Sequence, residues 1–282
     1  LVDGLNGMMG AGTYAATPLP VQVGGTGTDA IRVAMIYKPA KLSLQGQAIA
    51  DMDDIHNRPT YAQGFMAPNG EKFAVVVNHL KSKGSCSSGL NADQGDLQGC
   101  HNETRKQQAT RLLAWLPTVT ATAGTQDLIL LGDFNAYAKE DPIAVLTGSG
   151  SVVDLVSLFD EKDYSYVFDA WAGRLDHGLG SLSIVPKITG AHSWHINADE
   201  PPLIDYNTDG KSVDYYANTA YRSSDHDPLI LGLNLLKSVT GPSGRDVIVG
   251  TPGDDVITGG PGADTLTGGA GRDQFVYLSM TD

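Results

Sequence analysis

Four short polar clusters stand beside apolar runs, and their residue types suit acid–base and phosphate chemistry. Leu128-Ile129-Leu130-Leu131 runs straight into Gly132-Asp133-Phe134-Asn135-Ala136. An extended backbone points residues i and i+2 the same way, so Asp133 and Asn135 can face one site. One offers a hard anionic oxygen and the other a neutral donor and acceptor, the pairing a metal–phosphate site uses. Read alone, the segment is equally a strand followed by an Asp/Asn turn. The run Lys72-Phe73-Ala74-Val75-Val76-Val77 delivers Asn78-His79 at its end. Leu175-Asp176-His177-Gly178-Leu179 places a carboxylate inside an apolar frame, and Ser224-Asp225-His226-Asp227-Pro228 precedes the apolar stretch 229–236. Taken singly, each histidine reads as structural, Asp176 as fixing a turn and Asp227 as a loop cap. Gathered on one rim, the set could activate water and stabilise a charged transition state.

The elements that would position these groups follow from periodicity and punctuation. The stretches 72–77 and 128–131 read as buried strands, because short, wholly apolar runs must be covered on both faces. Gly132 ends the second where the backbone can require an unusual conformation. Residues 31–37 read as a strand stopped by Lys38-Pro39, with Tyr37 a core residue, and 4–29 as loop or weak strand. The stretch 45–58 reads as irregular. Asn102 can cap a helix over 103–116, whose Ala109, Leu112, Leu113 and Leu116 fall at helical spacing, with Pro117 stopping it. A short helix with Pro142 in its first turn follows 128–136. Residues 164–168 alternate as a strand, Gly173-Arg174 turns, and 175–179 returns as its partner. His192 and His195 flank Trp194, with Pro201-Pro202 following, and read as a packed loop. Lys81 and Lys83 read either as a phosphate-facing patch or as solvated side chains. Unevenly spaced strands and helices indicate layered α/β or α+β packing with paired sheets.

The chain has 282 residues, 41% hydrophobic and 18% charged, with a formal charge of -13. That is enough for one large core plus an appendage. It contains no apolar run of the roughly 18 residues that a membrane span needs. The acidic balance counts against simple electrostatic binding of nucleic acid, and bound divalent cations would offset part of it. The only cysteines, Cys86 and Cys100, lie in a polar Gly/Ser/Asn/Asp stretch. They are either two free thiols or a disulfide closing that loop, the form expected of an exported protein.

From Gly241 the chain falls into four nine-residue units, GPSGRDVIV, GTPGDDVIT, GGPGADTLT and GGAGRDQFV. Gly recurs at 244, 253, 262 and 271, and Asp246, Asp255, Asp264 and Asp273 keep the same register, each followed two positions later by Ile248, Ile257, Leu266 or Phe275. This is the calcium-binding nonapeptide that winds a parallel β-roll. Glycines permit the turns, carboxylates and carbonyls ligate Ca²⁺, and the apolar residues fill a narrow interior. A flexible linker has no reason to hold such register. No element after Phe275 reads as a cap, so the roll is expected to be incomplete.

Together, VNHLKS, GDFNA, LDHGL and SDHDP, in that order, resemble the endonuclease/exonuclease/phosphatase superfamily over about residues 1–236. AHSWHINADEP at 191–201 and Asp205-Tyr206-Asn207 are similar to its secreted bacterial nuclease branch. The resemblance implies an α+β fold: a four-layer α/β/β/α sandwich of two mainly antiparallel sheets, over residues 1–237, followed by the parallel β-roll of 238–282. It implies metal-dependent phosphodiester hydrolysis, with His226 the general base and Asp176 its orienting carboxylate. It also implies that Asp225 ligates Mg²⁺ (or Mn²⁺) and that Asp133 orients the water or binds metal. Asn135 and His79 would stabilise charge on phosphorus, and Arg58 and Asn78 would contact substrate phosphate. Calcium belongs to the repeats.

The chain departs from the family at its start. A metal-binding Glu in a QE-type motif and an earlier phosphate-contacting Asn have no match, and Glu71 has the wrong context. Both are expected upstream of Leu1, so these 282 residues alone are expected to be weakly active or inactive. The leading expectation is a secreted, extracellular Mg²⁺-dependent nuclease acting on DNA, with RNA a further substrate and no obligate protein partner. The alternatives are a phosphodiesterase for lipid or sugar phosphates and a calcium-binding surface protein with a degenerate catalytic domain.

Overall fold

A computed structural model describes residues 1–22, 24–201, 203, 212–216 and 219–278. The chain opens with helix α1 (Val2–Met9), where a loop or weak strand is expected; it buries none of its side chains. Strands β1 (Ala15–Ala16) and β2 (Ile36–Tyr37) then pair antiparallel. Only the last two residues of the strand expected over 31–37 form it. Tyr37 packs against Phe65 at a ring separation of 5.8 Å, in the core as its apolar setting implies.

The first part of the stretch expected to be irregular, 45–50, belongs to strand β3 (Ser43–Ala50), paired with β4 (Tyr61–Met66), while 51–58 is irregular as expected. Its alternation is hidden by a bulge between Gln45 and Ile49. Gly46 sits there with a φ of 69°, and a Cβ on it would lie 2.2 Å from the Thr122 carbonyl oxygen. Glycine therefore serves close helix packing here, although it looks like a strand breaker in the sequence.

Strand β5 (Lys72–His79) continues the sheet. Helix α2 follows over Asn102–Ala123. Asn102 is its first residue and not its cap; His101 takes the cap position in a left-handed conformation. The helix also runs through Pro117 to a left-handed Gly124. Proline costs a helix one hydrogen bond and some strain, but Val119 and Ala123 carry the buried face beyond it and favour continuation.

Then come β6 (Leu128–Asp133), α3 (Asp141–Gly148), β7 (Val152–Asp154), the hairpin β8 (Tyr166–Phe168) and β9 (Trp171–Gly173), and β10 (Asp176–Ser181). The pairing expected between 164–168 and 175–179 does not form. β8 pairs with β9, whereas β10 inserts between β6 and β7. The two positive-φ residues Asp169 and Ala170 close the hairpin one turn earlier than Gly173-Arg174. The main sheet has the order β3-β4-β5-β6-β10-β7, antiparallel except for β5 against β6.

Strands β11 (Ile188–Ser193) and β12 (Leu229–Leu233) form a second antiparallel pair. One face of the main sheet packs α2 and α3 through Leu112, Trp115, Leu116, Ile143 and Leu146. The other meets β11 and β12 around Phe65, Phe73, Ile129, Ile188 and Ala191. Helix, sheet and sheet thus stack in layers; among the described residues the outer face of the second sheet carries no helix with a buried side chain.

The roll begins at β13 (Lys237–Thr240), just ahead of the first nonapeptide. β14 (Val247–Val249), β15 (Asp255–Thr258), β16 (Thr265–Thr267) and β17 (Gln274–Val276) alternate between two parallel sheets, β13-β15-β17 and β14-β16. Two units therefore make one turn, and Val239, Ile257 and Phe275 share a register. Ile257 is fully buried, while Phe275 on the last described strand is 42% exposed.

Candidate active site

The sheet brings the sequence clusters together by register. His79, Asp133 and Asp176 are direct partners across β5, β6 and β10, so three polar strand ends stand side by side. Gly132 is what lets β6 end there. Its φ is +134°, and a Cβ would fall 1.9 Å from the Asn78 carbonyl oxygen, a contact no side chain can make. Beyond it, Asp133 folds back on the turn. Its carboxylate accepts from the Asn135 backbone N–H at 2.7 Å and side-chain amide at 2.9 Å, with Asn135 in the left-handed region at φ 48°.

The fourth cluster is held from outside the sheet. Asp227 lies buried and accepts from the backbone N–H groups of Ile196, Asn197 and Ala198 at 3.1, 2.9 and 2.9 Å, and binds His195 Nδ1 at 2.9 Å. It is the loop cap that its position beside His226 allows. Asn197 then donates to the His226 carbonyl at 2.7 Å. The 194–198 segment thereby fixes the backbone that carries His226. His195 also stacks on Tyr164 at 4.0 Å, a packed arrangement, while His192 lies on β11. Asp205-Tyr206-Asn207 and Pro202 lie outside the described residues.

His226 Nδ1 meets Asp176 Oδ2 at 2.6 Å, and the same oxygen accepts from Ser165 Oγ at 2.7 Å. A carboxylate on Nδ1 makes Nε2 the nitrogen that exchanges a proton. Burial disfavours the imidazolium, but the Asp176 hydrogen bond and the charges of Asp176, Asp133 and Asp225 outweigh it and push His226 up to about 9. Asp133 is also driven above its usual range: burial first, then the Asp176 charge, raise it to about 6. His79, whose Nε2 lies 3.4 Å from Asp133 Oδ2, is lowered to about 4 by burial and by Arg58 and His226. It is therefore a neutral donor at physiological pH.

These groups line a cleft of about 920 Å³, together with Arg58 and Asp225. Arg58 is anchored by Asp29 at 3.3 Å. Asn78 is not brought to the cleft: it is 1% exposed, and its side chain bonds Thr60, Val76 and Leu131. Glu71 is at the far end of β5, paired with Lys187 at 2.7 Å, and among the described residues no glutamate lines the cleft. One wall is the loop closed by the Cys86–Cys100 disulfide, with Cα atoms 5.2 Å apart. Buried Arg105 ties that loop down through the carbonyls of Lys81, Gln98 and Cys100. Lys83 faces the cleft but is paired with Glu140, so it is neither a free phosphate patch nor simply solvated.

Ligand atoms of Asp133, Asp176 and His226 lie within 4.8 Å of one another. The raised Asp133 reports carboxylates crowded at low dielectric, a setting that a divalent cation relieves. The set fits a hard cation held by the two carboxylates, with Asp225 nearby on the cleft wall. In the roll, the buried Oδ2 atoms of Asp246 and Asp264 have no hydrogen-bond partner, and Asp264 and Asp273 accept from the backbone N–H of Asp246 and Asp255. Unpartnered buried carboxylate oxygens in stacked turns fit calcium.

Several partners carry no signal in the sequence. Ser165, Tyr166 and Arg105 sit in segments whose residue types are commonplace, and only tertiary contact shows their part; Asn197 lies in the 191–201 motif, but its hold on the His226 backbone shows only in the fold.

The fold is that of the endonuclease/exonuclease/phosphatase family. A Bacteroides thetaiotaomicron protein of that family superposes with a TM-score of 0.53 at 16% identity, covering 82% of this chain and 79% of the other. A mannosyl-6-phosphatase from the same organism gives 0.53 at 16% identity, over 83% and 82%. A Bacteroides vulgatus family protein gives 0.51 at 15%, over 83% and 80%. Residues 240–275 match the RTX calcium-binding nonapeptide repeat in four copies. No curated protein matches the chain in sequence. It thus joins an endonuclease/exonuclease/phosphatase fold to RTX calcium-binding repeats.

Proposed function

We propose that the protein is a secreted, divalent-metal-dependent phosphodiester hydrolase whose substrate is extracellular nucleic acid, DNA foremost. The observation that carries this reading is the Asp176–His226 pair at 2.6 Å, opening onto a cleft that also holds His79, Asp133, Asn135 and Arg58. In its neutral form His226 takes a proton from water at Nε2, while Asp176 holds the tautomer and stabilises the imidazolium that results. Neutral His79 donates to the phosphoryl oxygens as charge builds there, while the Asn135 amide, bonded to Asp133 and to the Leu80 carbonyl, fixes the Asp133 carboxylate in the cleft. Arg58 anchors the flanking phosphate. Asp133 and Asp176 would hold the cation, and when bound it screens the carboxylates that raise His226 and polarises a phosphoryl oxygen. Mg²⁺ suits such hard oxygens, with Asp225 as a further ligand.

Export is supported by the disulfide and by repeats of a kind that fold where calcium is plentiful. A second reading, a sugar-phosphate hydrolase, is favoured by the superposition on the mannosyl-6-phosphatase. A degenerate, purely calcium-binding protein is disfavoured by the intact His–Asp geometry. The deciding experiment incubates the full-length protein with Mg²⁺ and either plasmid DNA, mannose 6-phosphate or sphingomyelin. Plasmid nicking without release from the other two supports the nuclease reading, and turnover of either small phosphate alone overturns it.

A further inference from the structure

The β8–β9 hairpin stands at the mouth of the cleft and carries three aromatic side chains. Tyr166 lies 4.7 Å from the His226 ring, and Phe168 stacks on Tyr166 at 6.5 Å with planes 12° apart. Trp171 is the direct cross-strand partner of Phe168. A row of rings therefore leads from the proposed general base outward to the hairpin tip. The outer two are solvent-facing, Phe168 59% and Trp171 80% exposed. Large aromatics left in water on a hairpin contribute nothing to the core, and such groups mark binding surfaces.

The tip is also preorganised. Asp169 and Ala170, at φ 49° and 64°, form a two-residue turn of the kind that matches strand twist. Ser165, at the root of the hairpin, bonds Asp176, and its carbonyl accepts from Asp227. The aromatic row is thus built on the same residues that orient His226. Phe168 and Trp171 also line an adjoining groove, where Lys139, Lys162 and Arg174 stand with Glu161, Asp163 and Asp169, so charge there is balanced.

A phosphodiester lying at His226 continues, on each side, into whatever its alcohols carry. Sugars and acyl chains pack on aromatic rings only through C–H groups, whereas nucleobases set a π-face parallel to them, the geometry in which Phe168 already lies on Tyr166. Because every base offers a π-face, stacking of this kind is tolerant of sequence but demands bases freed from their duplex partners. We infer that Tyr166, Phe168 and Trp171 form a base-stacking platform that receives one to three unpaired nucleotides beside the scissile phosphate, an inference that rests on the phosphodiesterase reading above. The substrate is engaged where its bases are unpaired, as in a single strand, a frayed end or a breathing stretch of supercoiled duplex.

The test measures binding, so that it does not depend on turnover. The His226→Ala protein, which leaves oligonucleotides intact, is titrated with a fluorescein-labelled thymidine octamer and with an abasic octamer of the same backbone. The platform predicts that the thymidine octamer binds about tenfold more tightly and quenches Trp171 fluorescence. Adding Phe168→Ala or Trp171→Ala, both at exposed positions, should reduce that ratio several-fold, with circular dichroism checking the fold. Equal binding of the two octamers overturns the platform while leaving phosphodiester hydrolysis standing. Binding of neither, with plasmid still nicked by the His226-intact protein, also overturns it; binding of neither without nicking overturns the nucleic-acid reading itself.

Discussion

Asp176 Oδ2 receives both His226 Nδ1 and Ser165 Oγ, so a single oxygen sets the orientation of the imidazole. Asp176→Asn keeps the shape but loses the charge and the tautomer preference. It is expected to lower kcat by roughly 10³-fold or more with little change in KM, and a kcat within threefold of wild type would remove Asp176 from the mechanism. Away from the cleft, Asp154 and Arg174 form a bidentate pair at 2.8 and 2.6 Å, both largely buried. Burial raises the Asp154 carboxyl, yet the Arg174 hydrogen bond and charge outweigh it and hold it below the usual 3.8. A carboxylate depressed on folding adds stability above its unfolded pKa and loses it as pH falls through the folded one. Wild type should therefore lose stability below about pH 4, and Asp154→Asn should lack that limb in urea unfolding followed across pH. Asp154→Ala, which leaves Arg174 buried without its partner, should cost about 3–5 kcal/mol at neutral pH. Asp133, Asn135, Asp176, Asp225 and His226 were all legible in the sequence, because each belongs to a polar cluster set beside or within an apolar run. Asn78 was equally legible and lies elsewhere: its neighbour His79 faces the cleft, and alternation along β5 turns Asn78 inward.

At the scale of elements, the site exists because three strands end in register, and Gly132 is the point on which that depends. Gly132→Ala would drive a methyl group into the Asn78 carbonyl. It should destabilise the fold by about 3 kcal/mol or more in equilibrium unfolding, and a loss under about 1 kcal/mol would mean the strand ends are not locked as described. Strands 72–79 and 128–133 were readable because they are apolar on both faces. β3 was not, since its bulge and Gly46 break the alternation that identifies a strand. α2 outran its apparent stop because burial of Val119 and Ala123 outweighs a single proline. The strand partners of β8 and β10 were misassigned because local spacing favours a hairpin, while the actual neighbours of β10 are set by the core.

Across the whole molecule, the roll is tied to the layered sheets through Asn69, whose amide donates to the carbonyls of Leu235 at 2.5 Å and Asp254 at 3.1 Å. Its nonapeptide register made it the most legible part of the chain. Stacked carboxylates repel one another without a cation, so chelation by EGTA should unfold the roll and change the far-UV circular dichroism, reversed by calcium. A spectrum indifferent to calcium would contradict the assignment. The central claim, that His226 paired with Asp176 cleaves phosphodiesters, is tested most directly by single-turnover cleavage of plasmid DNA in Mg²⁺ by the wild-type protein and by His226→Ala. The account predicts nicking by the former and at least a roughly 10³-fold slower rate in the latter. Equal rates would show that the chemistry lies elsewhere.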